Sequence, residues 1–148
     1  MALAPSLHDA IGMRLAGLDQ RYTPLRRLLV ETLAASERPL TIPAVVEAAP
    51  TLPQSSAYRN VTALMEAGVV RRIAGPDDHA LFELAEEFSG HHHHLVCESC
   101  GKVEDVAPSE RLERALGEAA RALAEAKGYH VTEHRVELFG LCPECAAP

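Results

Sequence analysis

Two hydrophobic periods divide this chain. Through the first half, apolar positions fall three and four residues apart, as on one face of a helix; near residue 69 they begin to alternate. A weak amphipathic helix is expected over 7–18. Thr23-Pro24 reads as an N-cap with proline at the first helical position, ahead of Leu25, Leu28, Leu29 and Leu33. Thr41 caps a short helix through Ala49, with Pro43 in its first turn. Residues 54–67 form the next helix: Ala57, Val61, Leu64 and Met65 make its apolar stripe and Gly68 ends it. Ser55, Arg59 and Thr62 lie opposite, with Tyr58 on the border. Val69–Ala74 and Leu81–Leu84 are strand-like and flank Gly75-Pro76-Asp77-Asp78, a hairpin signal. Three helices and a hairpin describe a winged helix-turn-helix, whose last helix enters the major groove.

The pattern breaks at Glu86–Gly90, the expected linker. A strand then runs through the histidines to Cys97, and a second spans Val103–Val106. Pro108-Ser109 opens a long helix to Lys127 with a narrow stripe of Leu112, Leu116, Ala119, Leu123 and Ala126. Gly128 closes it, and Tyr129–Phe139 reads as a long final strand. The fold class expected is α+β. A winged-helix domain occupies residues 1–86, a hinge linker 87–90 and a small α/β domain 91–148. The last unit is too small to be comfortable alone; a metal staple and a dimer interface would both support it.

Composition sharpens this. Of 148 residues 47% are hydrophobic, enough for a core, yet no run of 18 apolar residues exists, so no membrane partner is expected. The net charge of −7 argues against a broadly basic nucleic-acid binder. The charge is uneven: residues 1–86 hold 8 Arg and no Lys against 10 acids, whereas 87–148 hold 6 basic residues against 11 acids. DNA contacts therefore belong to the first half, which carries Arg21, Arg26, Arg27, Arg59, Arg71 and Arg72. Bound cations would offset the charge of the second. Residues 1–18 lack the long apolar core of a secretory signal, so a cytoplasmic protein with reduced thiols is expected.

The chemistry lies in sulfur and imidazole. All four cysteines form two pairs, Cys97-x-x-Cys100 and Cys142-x-x-Cys145. Two such pairs supply the four thiolates of a closed tetrahedral zinc site. The 41 residues between them exceed a zinc-ribbon spacing. Loop closure costs only about 0.6 kcal/mol per doubling, so an intervening small domain is acceptable. Before the first pair runs His91-His92-His93-His94. On a strand, alternate side chains point to opposite faces, so His92 and His94 face one side and His91 and His93 the other. One strand can thus serve two metal sites. In the final strand His134 shares a face with His130, Thr132, Val136 and Leu138, which places it among apolar neighbours, as a neutral ligand or a satisfied core histidine.

From Tyr22-Thr23-Pro24-Leu25-Arg26, through Ser56-Ala57-Tyr58-Arg59-Asn60-Val61 and the histidine run leading into Cys97-Glu98-Ser99-Cys100-Gly101, to His134, Phe139-Gly140, Cys142 and Cys145, the chain resembles the ferric uptake regulator family of metal and peroxide sensors. The resemblance covers about residues 7–146. It implies a homodimeric, metal-dependent repressor that binds operator DNA, controls metal-homeostasis genes and is not an enzyme. Tyr58 and Arg59 match the tyrosine and arginine of the recognition helix; Ser55, Thr62 and Arg26 complete the expected DNA-binding set. Cys97, Cys100, Cys142 and Cys145 match the structural zinc site. Glu83, His92 and His94 match a regulatory site at the hinge. His91, His93, a helix glutamate (Glu113, less well Glu110) and His134 match a third site in the dimerisation domain.

The chain departs from the family pattern in two places. Pro39 stands where iron-type members carry a histidine before the third helix. Glu83 and Arg71 stand nearest to the Cys and Asp common in zinc-type members. Asp77, Asp78, His79, Glu86 or Asp105 are candidates for a missing hinge ligand. The all-histidine run favours zinc over iron or manganese as regulatory metal, since Zn2+ takes nitrogen-rich tetrahedral sites. The family type favoured is therefore the zinc uptake regulator. Rival readings are a zinc-storage or metallochaperone module, which needs no recognition helix, and a zinc enzyme. For the last, neither HExxH nor an HxE…PCxxC pattern occurs, and no small organic substrate is expected.

Overall fold

The computed structural model describes residues 5–75 and 79–147. Four helices come first: α1 (Pro5–Ala16), α2 (Pro24–Ala34), α3 (Ile42–Ala48) and α4 (Gln54–Glu66). Side chains start two of them as the sequence suggests. The Thr23 hydroxyl accepts from Arg26 N at 3.4 Å, and that of Thr41 from Ala44 N at 3.3 Å. Prolines lie within the first two positions of both helices, where an N–H is not needed. Ile11, Leu15, Leu29, Val30, Val45, Leu52, Ala57 and Leu64 are sealed from solvent at the centre of this bundle. Met65 departs from the expected stripe. It is 37% exposed, because the buried face of α4 runs along Ala57, Val61 and Leu64, with Ser56 and Ala63 on its flank.

Strands β1 (Val70–Ala74) and β2 (Ala80–Leu84) form the antiparallel wing, pairing Val70 with Leu84 through Ala74 with Ala80. Leu40 exchanges backbone hydrogen bonds with Phe82, which ties the segment before α3 to the wing. The expected linker contains a helical turn, α5 (Glu86–Ser89), which ends at Gly90 with φ 86°. Glu86 and Glu87 in its first turn suit the positive end of the helix. Phe88 packs against the main core, and Arg14 pairs with Glu87 at 2.7 Å, so the segment is anchored to α1.

The second sheet has the order β4-β3-β5, built from β3 (His93–Cys97), β4 (Val103–Val106) and β5 (Glu137–Gly140). β3 runs antiparallel to β4 and parallel to β5, with helix α6 (Glu110–Lys127) in the crossover; α7 (Pro143–Ala146) follows. The long final strand expected over 129–139 is reduced to four residues. β3 offers partners only from His94, opposite Glu137, to Cys97, opposite Gly140, so the preceding residues have no ladder to join. No residue of α6 is buried; Leu112 and Leu123 are exposed, as are Leu138, Phe139 and Leu141 at and beyond β5. Among the described residues no helix is long and apolar enough to cross a membrane.

Alternation explains how the two parts meet. Phe82 and Leu84 turn toward the helices, so Leu81 and Glu83 turn the other way. There Ile73, Leu81, Val96 and Val103 form a second apolar cluster. Two residues further along each strand stand Arg71, Glu83, His94 and Asp105, with Arg71 opposite Glu83 and His94 opposite Asp105. A polar layer therefore sits directly on the apolar contact between wing and sheet.

Candidate metal centres

Among the described residues three groups of ligand-type side chains converge, each with its ligand atoms within 4.8 Å of one another. The first is Cys97, Cys100, Cys142 and Cys145. Gly101, with φ 78°, turns the chain after the first pair, and β3–β5 pairing carries the second pair beside it. All four thiols are free. Cys100 Sγ and Cys142 Sγ are 3.7 Å apart, far beyond a disulfide bond. A tetrahedral ion about 2.3 Å from each sulfur would set them roughly 3.8 Å apart. Hydrogen bonds from the Cys100 and Cys142 backbones hold the Cys97 thiol down at about 6. Although Ser99 opposes it, the proximity of Cys142 and Cys100 pushes Cys145 up to about 12. Crowded thiolates that resist joint ionisation are what a divalent cation neutralises, so these residues fit zinc.

The second group is Glu83, His92, His94 and Asp105. Glu83 Oε2 lies 3.0 Å from His94 Nε2 and 3.1 Å from His92 Nε2, and Asp105 Oδ1 is 3.6 Å from His94 Nε2. Gly90 O accepts from His92 Nδ1 at 2.9 Å, which leaves Nε2 turned to the cluster. Glu83 and His94 are buried, whereas Asp105 is exposed on a cleft of about 370 Å³. Burial opposes the charge of Glu83. Hydrogen bonds from His94 and His92 and the field of Arg71 overcome it and hold the carboxyl at about 2. Asp105 is only partly desolvated, but that desolvation raises its carboxyl.

The third group is His91, His93, Glu113 and His134. Glu113 Oε1 lies 2.6 Å from His93 Nε2, and its Oε2 lies 3.1 Å from His91 Nε2 and 3.0 Å from His134 Nε2. His134 Nε2 is buried and, although 3.0 Å from Glu113 Oε2, makes no hydrogen bond of acceptable geometry. Three imidazoles and a carboxylate fit a divalent cation. His134 is thus not among apolar neighbours on a long strand, as alternation suggested; it sits beside His91, His93 and Glu113. Glu113, not Glu110, reaches the group.

Arg71 and Glu86 join the last two groups. Arg71 Nε donates to Glu83 Oε1, and its Nη1 donates to Glu86 Oε1 at 2.8 Å. The other Glu86 oxygen lies 2.8 Å from His91 Nδ1. Although burial opposes it, these partners raise the Arg71 pKa, and His91 and Arg71 lower that of Glu86. Of the candidates for an extra hinge ligand, Asp105 enters the group and Glu86 does not. His79 is exposed on the wing, and Asp77 and Asp78 lie outside the described residues. Among the five candidates the sequence offered, Asp105 is singled out by the register that places β4 beside β3, with Asp105 opposite His94.

The expected DNA-contacting residues divide. Ser55, Tyr58, Arg59 and Thr62 form an exposed row on α4, with Tyr58 52% exposed. Arg26 instead braces the helices. Its guanidinium donates to Asn60 Oδ1, Arg21 O and Gln20 Oε1, because α2 packs directly on α4.

Residues 18–139 match the ferric uptake regulator family. The chain belongs to the ferric uptake regulator family. It is 32% identical over 102 residues to the ferric uptake regulation protein of Legionella pneumophila, covering 69% of this chain and 70% of that protein. It is 29% identical over 138 residues to the peroxide-responsive repressor PerR of Staphylococcus aureus strain Mu50, covering 90% and 86%. Among solved structures it superposes on the Helicobacter pylori ferric uptake regulator, a protein described as having three functional metal-binding sites. The TM-score is 0.77 at 20% identity, over 97% of this chain and 93% of that one. The chain is thus a metal-responsive transcription regulator of this family and not an enzyme. Its relatives answer to different signals, so the family alone does not assign its metal.

Proposed function

We propose that this member of the ferric uptake regulator family is a cytoplasmic, zinc-responsive repressor that binds operator DNA as a homodimer and controls metal-homeostasis genes. One observation carries the reading. Glu83, from the wing, meets His92, His94 and Asp105, from the second sheet, on top of the apolar contact that joins the two. A divalent cation held there supplies a cross-link between the part bearing α4 and the part bearing α6. Four nitrogen and oxygen donors, with no histidine where Pro39 stands, suit Zn2+ better than ions that prefer six ligands.

The division of labour follows the chain. Residues 1–86 carry the DNA-reading surface, 87–90 the hinge, and 91–148 dimerisation and the cysteine and histidine sites. Zinc at Cys97, Cys100, Cys142 and Cys145 is structural. His91, His93, Glu113 and His134 hold a further ion. The uncovered stripe of α6, with Leu138, Phe139 and Leu141, supports a second copy as the partner. Two α4 helices fixed at one separation suit half-sites on one face of a duplex. Tyr58, Arg59, Ser55 and Thr62 supply contacts, and Arg26 keeps α4 in place from behind.

The test is operator binding by the dimer, with its cysteine site filled, titrated with Zn2+, Mn2+, Fe2+ and Ni2+. The reading expects Zn2+ to tighten binding at the lowest free concentration. DNA affinity unchanged by all four ions would overturn it.

A further inference from the structure

Glu83 has two oxygens, and they face different partners. Oε2 faces His94 and His92 in the hinge group, whereas Oε1 accepts from Arg71 Nε. Arg71 cannot readily swing away. Its side chain is only 10% exposed, and its Nη1 is tied to Glu86 Oε1 at 2.8 Å. The guanidinium is a planar fork, so both bonds fix its plane and its distance from Glu83 together. Glu86 is held in turn by His91 Nδ1 at 2.8 Å.

We propose that Arg71 is a metal-specificity residue of the hinge group, which by occupying Glu83 Oε1 leaves that carboxylate a single oxygen to ligate with. The inference rests on the hinge group being a divalent-metal site. With Oε1 engaged, the protein offers four ligand atoms: Glu83 Oε2, His92 Nε2, His94 Nε2 and one Asp105 oxygen. Four donors satisfy Zn2+. Mn2+ and Fe2+ favour higher coordination and gain when a carboxylate turns bidentate. Arg71 thus favours zinc by withholding an oxygen, without touching the ion. The same fork steadies Glu86 against His91, so one arginine braces residues of two neighbouring groups.

The test uses the full-length dimer with zinc kept in the cysteine site. A Glu113→Ala, His134→Ala background prevents the third group from taking the added ion. Cobalt serves as the spectroscopic probe, and Zn2+ and Mn2+ affinities are measured by competition with chelators. In the Arg71-containing protein the hinge cobalt is expected to show the intense visible band of four-coordination. Arg71→Met, and Arg71→Lys, which keeps the charge but loses the fork, should weaken that band toward five- or six-coordination. They should also raise Mn2+ affinity relative to Zn2+ by about 10–100-fold, the usual range for changes just outside a metal's ligands. A six-coordinate band with Arg71 present overturns the proposal even if neither variant folds. So does equal weakening of both ions with an unchanged band, which is what a merely structural arginine would give. If no ion binds the hinge group at all, the reading of that group fails and this proposal fails with it.

Discussion

Arg71 and Glu83 stand directly opposite each other across the wing, and each is about nine-tenths buried. Removing Glu83 would leave buried Arg71 only the Glu86 carboxylate and would take the carboxylate from His92 and His94, and breaking such a buried network is costly. Glu83→Ala should therefore destabilise the metal-free protein by roughly 3 kcal/mol. It should also abolish the response of DNA binding to metal. Chemical denaturation and operator titration check the two effects, and a variant with undiminished stability would show the pair to be dispensable.

The cysteine group should behave as part of the fold. Binding free energy at a structural zinc is folding free energy, and β5 and α7 are held near β3 mainly through this group and a four-residue parallel pairing. Strong chelation, or Cys→Ser at Cys97, Cys100, Cys142 and Cys145 together, should cost the dimer its cooperative melt. An unaltered melting curve would contradict the assignment.

The two faces of the histidine run should separate in function. His92→Ala and His94→Ala remove partners of Glu83, so they should weaken metal-activated DNA binding and leave the dimer folded. His91→Ala and His93→Ala remove partners of Glu113, so they should act on dimer stability or on the grading of the response. Four indistinguishable metal titrations would sink the two-face assignment.

On α4, Arg59→Ala should cost about 1–3 kcal/mol of operator affinity if the side chain reaches a base edge, and the loss should depend on sequence. Arg26→Ala should differ, because it removes the brace to Asn60 and lowers thermal stability as well. Binding to specific and scrambled duplexes, with melts on the same samples, tells the roles apart.

Protons and metal compete for the same imidazoles. The hydrogen bond to Glu86 raises His91 above 6.5; at His92 burial opposes, but Gly90 and Glu83 prevail and raise it too. In the metal-free protein their stabilisation is present below 6.5 and is lost as pH rises through the raised values. Glu83, lowered from 4.5 to about 2, contributes above 4.5 and loses its contribution as pH falls toward 2. Zinc binds the neutral imidazoles, so the rise in Tm on adding zinc should be larger at about pH 8 than at about pH 6. Equal rises would place the ion elsewhere.

Much of this was legible along the chain because it was local. The Thr23 and Thr41 caps, the wing alternation and the two CxxC pairs each declare themselves within a few residues. The opposite facing of His93 and His94 follows from strand geometry, and His91 and His92 keep the expected partition although they precede β3, which begins at His93. What escaped was non-local. The choice of Asp105 among five candidate ligands needed the β3–β4 register, and the last strand shortens because β3 is short. Arg26 belongs to the expected DNA-contacting set; its bond to Asn60, which shows it bracing α2 against α4, depends on packing between helices far apart in the chain. Met65 lies just beyond the edge of the stripe it was grouped with.

The most direct measurement is reciprocal linkage at the hinge. Zinc affinity of that group is measured with and without saturating operator DNA, and operator affinity with and without zinc. If the ion bridging Glu83 to His92 and His94 sets the DNA-binding geometry, both ratios must be the same factor, typically 5–150-fold for a coupling of about 1–3 kcal/mol. A hinge zinc affinity that is unchanged by operator DNA would contradict the account.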